Sequence, residues 1–190
     1  MTDPVLVDVP EEIATPRLLL RSPRPGDGAA VHEAVAESVG RLRPWLSWAW
    51  EEPSREASER YTRQARARFD LRQALDFYGY LRRDPSRLAL VVGLHTIDWS
   101  VPRFELGYWV RTAHEGQGLV REAVGAVTAM AFDRLGAQRV EIRCDAENAR
   151  SAAVAHALGF VLEGRLRRHR RDGQGSVRDT LLFARVREDA

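Results

Sequence analysis

The 190-residue chain contains no lysine; all 29 of its basic residues are arginine. That excludes lysine Schiff-base chemistry and any phosphate loop of the Gly-x-x-x-x-Gly-Lys-Ser/Thr kind within this chain. Cysteine is almost as scarce. The single Cys144 leaves no intrachain disulfide and no multi-cysteine metal site, so no metal is expected. No apolar run approaches the ~20 residues that span a bilayer. Residues 1–8 lack the basic-then-apolar order of a secretory signal, so the expected location is the cytoplasm, with no membrane partner. Net charge is only +2, which gives no whole-protein reason to bind DNA. The remaining composition, 44% apolar and 29% charged, is that of a soluble globular protein. Its length suits one domain over residues 1–190, with 1–14 as a loosely held arm.

What is present is organised around residues 104–135. Phe104-Glu105-Leu106-Gly107-Tyr108-Trp109-Val110 is aromatic and roughly alternating, which predicts a strand. Leu119, Ala123, Val124, Val127, Met130, Ala131 and Leu135 recur on one side of a 3.6-residue repeat and predict a helix. Between them stands Gly116-Gln117-Gly118, at the helix start. The first N–H groups of a helix lack intrahelical partners and carry partial positive charge. Glycines there let an anion approach the backbone with no Cβ in the way. Strand, Gly-x-Gly, helix therefore reads as a phosphate cradle, against the alternative of a plain glycine-rich helix start. Arg121 stands where the third glycine of a dinucleotide fingerprint would be.

Around this centre the chain predicts a first strand over 17–21, a helix from Asp27 to about Ser38, and a polar helix from Ser54 to about Leu75. Trp45, Trp48 and Trp50 fall between the helices, as corner packing or as walls for a substrate. Strands at 77–81 and 87–98, joined by an Asp84-Pro85-Ser86 turn, form a hairpin. The apolar run 88–94 places the second of them centrally in the sheet. A strand over 138–144, a short helix over 148–158 with Asn148 as N-cap, a strand from 159, an Asp172-Gly173-Gln174-Gly175 turn and a strand over 177–186 complete the count. The sum is an α/β (α+β) domain with a mixed, mostly antiparallel sheet of about seven strands.

Two stretches carry a family resemblance. Glu115-Gly116-Gln117-Gly118-Leu119-Val120 resembles the Gln/Arg-Gly-x-Gly-x-Gly/Ala loop of the Gcn5-related N-acetyltransferases (GNAT), with Glu115 and Val120 departing from it. Asn148, Ser151, Gly159 and Phe160 match the family's Asn-x-x-Ala/Ser…Gly-Phe segment, while Ala155 stands where many members have a tyrosine that protonates the leaving thiolate. Arg17-Leu18-Leu19-Leu20-Arg21, Pro44-Trp45-Leu46-Ser47-Trp48 and Glu105-Leu106-Gly107-Tyr108-Trp109 are similar to the RimJ/RimL-like ribosomal-protein N-alpha-acetyltransferases. The resemblance implies a sheet splayed between its fourth and fifth strands, 104–110 and 138–144, with acetyl-CoA (CoA) inserted between them. It implies an oxyanion donor at the N–H of Trp109 or Val110 and pyrophosphate on the amides of Gln117, Gly118, Leu119, Val120 and Arg121. Asn148 would then meet the pantetheine arm, and Ser151 the sulfur.

The implied reaction is direct attack of an amine on the thioester, with a protein N-terminal α-amine as acceptor. A small amine (polyamine, amino acid or aminoglycoside) is the alternative substrate, and a CoA-binding protein with little turnover is the alternative class. Amine attack needs a base. Glu105, a carboxylate in an apolar strand, is the first candidate, against a plain sheet-edge residue; Glu163, His114 and His95 are others. The basic run 165–171 reads as a solvated hairpin end or as a dock for an acidic partner or for ribosomal RNA. The exposed hairpin and the tryptophans leave room for a homodimer.

Overall fold

The computed structural model describes residues 3–172 and 174–187. Eight strands form one sheet in the order β1-β2-β3-β4-β5-β6-β8-β7. They are β1 (Glu12–Ala14), β2 (Leu18–Arg21), β3 (Leu75–Leu81), β4 (Asp84–Asp98), β5 (Arg103–Val110), β6 (Arg139–Asp145), β7 (Val161–Arg171) and β8 (Val177–Val186). Four helices accompany them: α1 (Gly28–Leu42), α2 (Arg55–Asp70), α3 (Leu119–Asp133) and α4 (Ala149–Ala157). Only β5 and β6 pair in parallel, because the α3 crossover returns the chain to the same end of the sheet.

The main core lies between the sheet and α3. Leu90, Val92 and Leu94 of β4, Phe104 and Leu106 of β5, and Val140 and Ile142 of β6 meet Val124, Val127 and Met130 of α3 there. The opposite face of β3 and β4 packs Tyr78, Tyr80, Leu88 and Val91 against Val31, Ala34 and Val35 of α1. β4 is thus covered on both sides, as its unbroken apolar run predicts.

Several boundaries differ from the expectation. The extra strand is β1, since Glu12, Ile13 and Ala14 pair with Arg21, Leu20 and Leu19. Val9 is buried in the core, so the expected loose arm is tied down over these residues; residues 1 and 2 lie outside the described residues. The β3–β4 turn falls at residues 82–83, because Leu81 pairs with Asp84, and Ser86 instead bonds Asp84 Oδ1 at 2.6 Å. α1 runs on to Leu42, and Asp27 makes no capping bond; Arg21 holds its carboxylate by two 2.7 Å bonds. α2 starts at the expected Ser54 cap but ends at Asp70. β7 extends through the basic run, which is therefore strand. Gly173, in the expected turn after it, lies outside the described residues.

Candidate active site

β5 and β6 pair over only three positions, Arg103 with Arg139, Phe104 with Val140 and Glu105 with Glu141. β6 stays zipped to β8 along its whole length, and so it leaves β5. Among the described residues, β5 and β6 make no further pairing over residues 106–110. The result is a free strand edge inside a sheet, able to take an extended amide chain by backbone pairing. The expected splay is present; it falls between β5 and β6 because β1 adds one to the count.

α1 fixes the loop that follows β5. Arg111 is buried, with Nε 2.6 Å from Glu37 and Nη2 2.7 Å from Glu33. The N–H groups of Thr112 and Ala113 donate to Ser38 Oγ and Glu37 Oε1. Gly116 and Gly118 sit at φ +72° and +73°, the left-handed region that favours glycine. Among the described residues, the N–H groups of residues 116–121 make no hydrogen bond. These donors fit an anion such as a pyrophosphate. The two departures from the family loop both find partners within the chain. Glu115 is neutralised by Arg41 at 3.1 Å and Arg150 at 2.5 Å, and the Arg41 bond holds its carboxyl below the usual range. Val120 turns its side chain into the core.

Beyond the loop a cavity of about 400 Å³ runs between α3 and α4, lined by Arg17, Gly118, Arg121, Gly125 and Leu158 among others. Arg17 is engaged by Glu122 at 2.6 Å and by the Gln117 carbonyl at 2.8 Å. The Arg121 guanidinium makes no ion pair or hydrogen bond among the described residues.

Asn148 caps α4, its Oδ1 accepting the Ser151 N–H at 3.1 Å, and so holds Ser151 in the first turn facing the splay. Ser151 Oγ lies 2.8 Å from the Tyr108 hydroxyl, which also donates to the Ser151 carbonyl at 3.2 Å. Burial pushes the Tyr108 phenol up to about 12, so it keeps its proton at neutral pH. Burial likewise raises the neighbouring Cys144 thiol. Sequence reading gave Tyr108 no role. The available signal was its place in the β5 alternation, which puts this polar group on the α3 face with Phe104 and Leu106.

The opposite face of the splay carries Glu105, Gly107 and Trp109. Trp109 meets Trp48 edge-to-face at 6.0 Å, and the Trp45 carbonyl accepts Arg170 of β7 at 3.4 Å. The tryptophan stretch therefore forms a wall beside the splay. Glu105 is mostly buried, 3.6 Å from Arg143, which also binds Glu141 at 3.0 Å. Glu163 is tied up by Arg139 through both oxygens, at 2.8 and 2.5 Å, and that bond keeps its carboxyl ionised. His114 lies before the glycine loop, beside Arg111 and Glu37, with its pKa lowered by burial. Neither group is brought to the splay. The basic run is largely paired within the chain: Arg165 with Asp179 at 2.7 Å, Arg170 with Asp145 at 3.3 Å, and Arg171 with the Gly175 carbonyl at 2.6 Å.

Residues 17–161 match the family model described as "Acetyltransferase (GNAT) domain". The chain is 32% identical over 153 residues to YdaF of Bacillus subtilis (strain 168), a protein provisionally named a ribosomal N-acetyltransferase; the match covers 79% of this chain and 81% of that one. Among solved structures, a RimL ribosomal L7/L12 alpha-N-protein acetyltransferase in complex with coenzyme A superposes with a TM-score of 0.86 at 23% identity, covering 93% of this chain and 98% of the other. The microcin C7 self-immunity acetyltransferase MccE, in complex with acetyl-CoA and AMP, gives 0.85 at 21% identity, covering 94% and 97%. The chain belongs to the GNAT family of acetyltransferases, enzymes that transfer an acetyl group from acetyl-CoA.

Proposed function

We propose that the enzyme acetylates the α-amino group at the N-terminus of a protein, of the ribosomal-protein type, in the cytoplasm. The observation that carries this reading is the open acceptor side of the splay. On the face where α1 and α2 cover β3 and β4, Arg143 and Glu105 flank the gap with 32% and 20% of their side chains exposed. Trp48, 48% exposed, stands against Trp109 on β5. A partly exposed sheet face with one aromatic wall suits the end of a peptide better than an enclosed small molecule. The ribosomal-protein acetyltransferases named among the similar proteins support the same acceptor.

Acetyl-CoA is the acyl donor. The N–H groups of Gln117, Gly118, Leu119, Val120 and Arg121 would hold its pyrophosphate, with the Arg121 guanidinium adding charge in the α3–α4 groove. The free edge at Trp109 and Val110 would hold the pantetheine arm and supply the oxyanion donor, with Asn148 beside the arm. Ser151, backed by the protonated Tyr108, donates to the departing thiolate; this pair takes the place of the tyrosine that Ala155 removes. Glu105, at the mouth of the splay, attracts the ammonium.

The test is release of CoA thiol from acetyl-CoA with short peptides bearing free or blocked N-termini, alongside polyamines and an aminoglycoside. Release with free-terminus peptides alone is expected. Release only with a small amine would replace the acceptor.

A further inference from the structure

We propose that His95, not Glu105, is the base that takes the proton from the acceptor amine, with Asp76 as its positioning residue. This rests on the acetyltransferase reading above and adds a catalytic group to it.

The observation is a diagonal of polar side chains crossing an apolar sheet toward the splay. Asp76 of β3 leans over Gly93 of β4, whose place a Cβ could not share with Asp76 Oδ1. His95 of β4 leans in turn over Gly107 of β5, where an added Cβ would stand 2.5 Å from Nε2. Gly93 pairs with Gly107, so the two glycines form one trough across the strands. Gly107 lies past Glu105, the last residue paired to β6, so Nε2 is held at the start of the open edge, two residues before Trp109.

A β-bulge aims the ring. The β4–β5 register shifts between His95 and Asp98, and Thr96 takes φ +49°, a strained angle for a β-branched residue. Behind the ring, burial raises the Asp76 carboxyl while Arg68 and His95 nearby oppose that shift, and Tyr61 Oη donates to it at 3.4 Å. Glu105 is the cross-strand neighbour of His95 and is ion-paired with Arg143, so it is better suited to hold an ammonium than to deprotonate it. The titratable groups placed by His95 are Asp76 of β3 and Glu105 of β5; behind them, Tyr61 and Arg68 of α2 meet Asp76, and Arg143 of β6 meets Glu105.

The amine arrives as an ammonium, and His95 Nε2 takes one of its protons. The freed lone pair attacks the thioester carbon; the C–N bond forms and the C–S bond breaks. The surplus proton on the new amide nitrogen balances the one that the thiolate takes through Ser151. The His95 proton goes to solvent, so one proton is released per turnover.

The test compares pH–rate profiles of wild type, His95→Gln and Glu105→Gln, using a short free-terminus peptide and a weakly basic amine, aminoacetonitrile, that is already neutral at pH 7. His95→Gln should lower kcat/KM for the peptide by about a hundredfold and remove the acid limb of the profile. With aminoacetonitrile it should cost about threefold or less, because no ammonium needs deprotonation. Glu105→Gln should raise the peptide KM and keep the acid limb. Equal losses for both acceptors, or an acid limb that disappears only in Glu105→Gln, would overturn the assignment. Wild type inert toward every amine would overturn the acetyltransfer reading beneath it, and the assignment with it. Should His95→Gln not fold, Gly107→Ala tests the same point, because its methyl displaces the ring; an unchanged peptide profile there would also overturn it.

Discussion

The two faces of the splay are built from different materials. The α3–α4 face binds through backbone: glycines at positive φ, unpaired N–H groups at a helix start, and a free strand edge. The α1–α2 face works through side chains, with Trp48 and Trp109 as a wall and His95, Glu105 and Arg143 beside the gap. Backbone binding constrains few residue types, and those it does constrain, glycine above all, stay close together in sequence. Side-chain chemistry draws on groups from three strands and the tryptophan stretch, placed by tertiary packing.

Changes on one face should therefore leave the other intact. The largest effect is expected for Gly118→Val, which puts a β-branched residue at φ +73° and costs about 1–3 kcal/mol at the cradle. Acetyl-CoA affinity should fall at least about tenfold, read by calorimetric titration, with the acceptor KM unchanged. Next is Arg111→Met, which strands the Glu37 carboxylate beside the loop that α1 holds. With Glu33 more than half exposed, the loss is about 2 kcal/mol in denaturant unfolding. Ser151→Ala should lower kcat about tenfold with little change in either KM, because the thiolate is the least demanding proton acceptor in the reaction; Tyr108→Phe should lower it less.

The smallest effect sharpens the contrast by separating stability from activity. Burial raises the Asp76 carboxyl above its ordinary value. An acid with a raised folded-state pKa has no stability cost below its unfolded pKa, and the cost grows as pH rises toward the folded value. Asp76→Asn should therefore raise Tm by about 2 °C at pH 7, a gain that fades toward pH 3, while lowering kcat through the loss of His95 positioning. A variant that gains no stability at pH 7 would contradict the buried-carboxylate account.

The same division explains what the sequence made legible. Gly116, Gly118, Asn148 and Ser151 lie in two short motifs whose local geometry follows from helix-start chemistry, and the structure places all four around the splay. β4 and β5 read as strands without tertiary help, whereas the splay beside β5 was implied only by the family resemblance. The Tyr108–Ser151 pair was hidden because it spans 43 positions. The His95 trough was hidden because glycines in strands read as weak points, not as space for a neighbour's side chain. β1 was missed because three residues carry too little periodicity to register. The basic run is the largely exposed end of the β7–β8 hairpin, as expected; its pairing with Asp145 and Asp179 was hidden because those partners come from other strands.

The most direct test of the division is acetyl-CoA titration, run in parallel on wild type, Gly118→Val and His95→Gln. The account predicts that wild type and His95→Gln bind alike and that only Gly118→Val loses affinity. Equal loss in both variants, or undiminished binding in Gly118→Val, would contradict a donor site built from backbone on one face and acceptor chemistry built from side chains on the other.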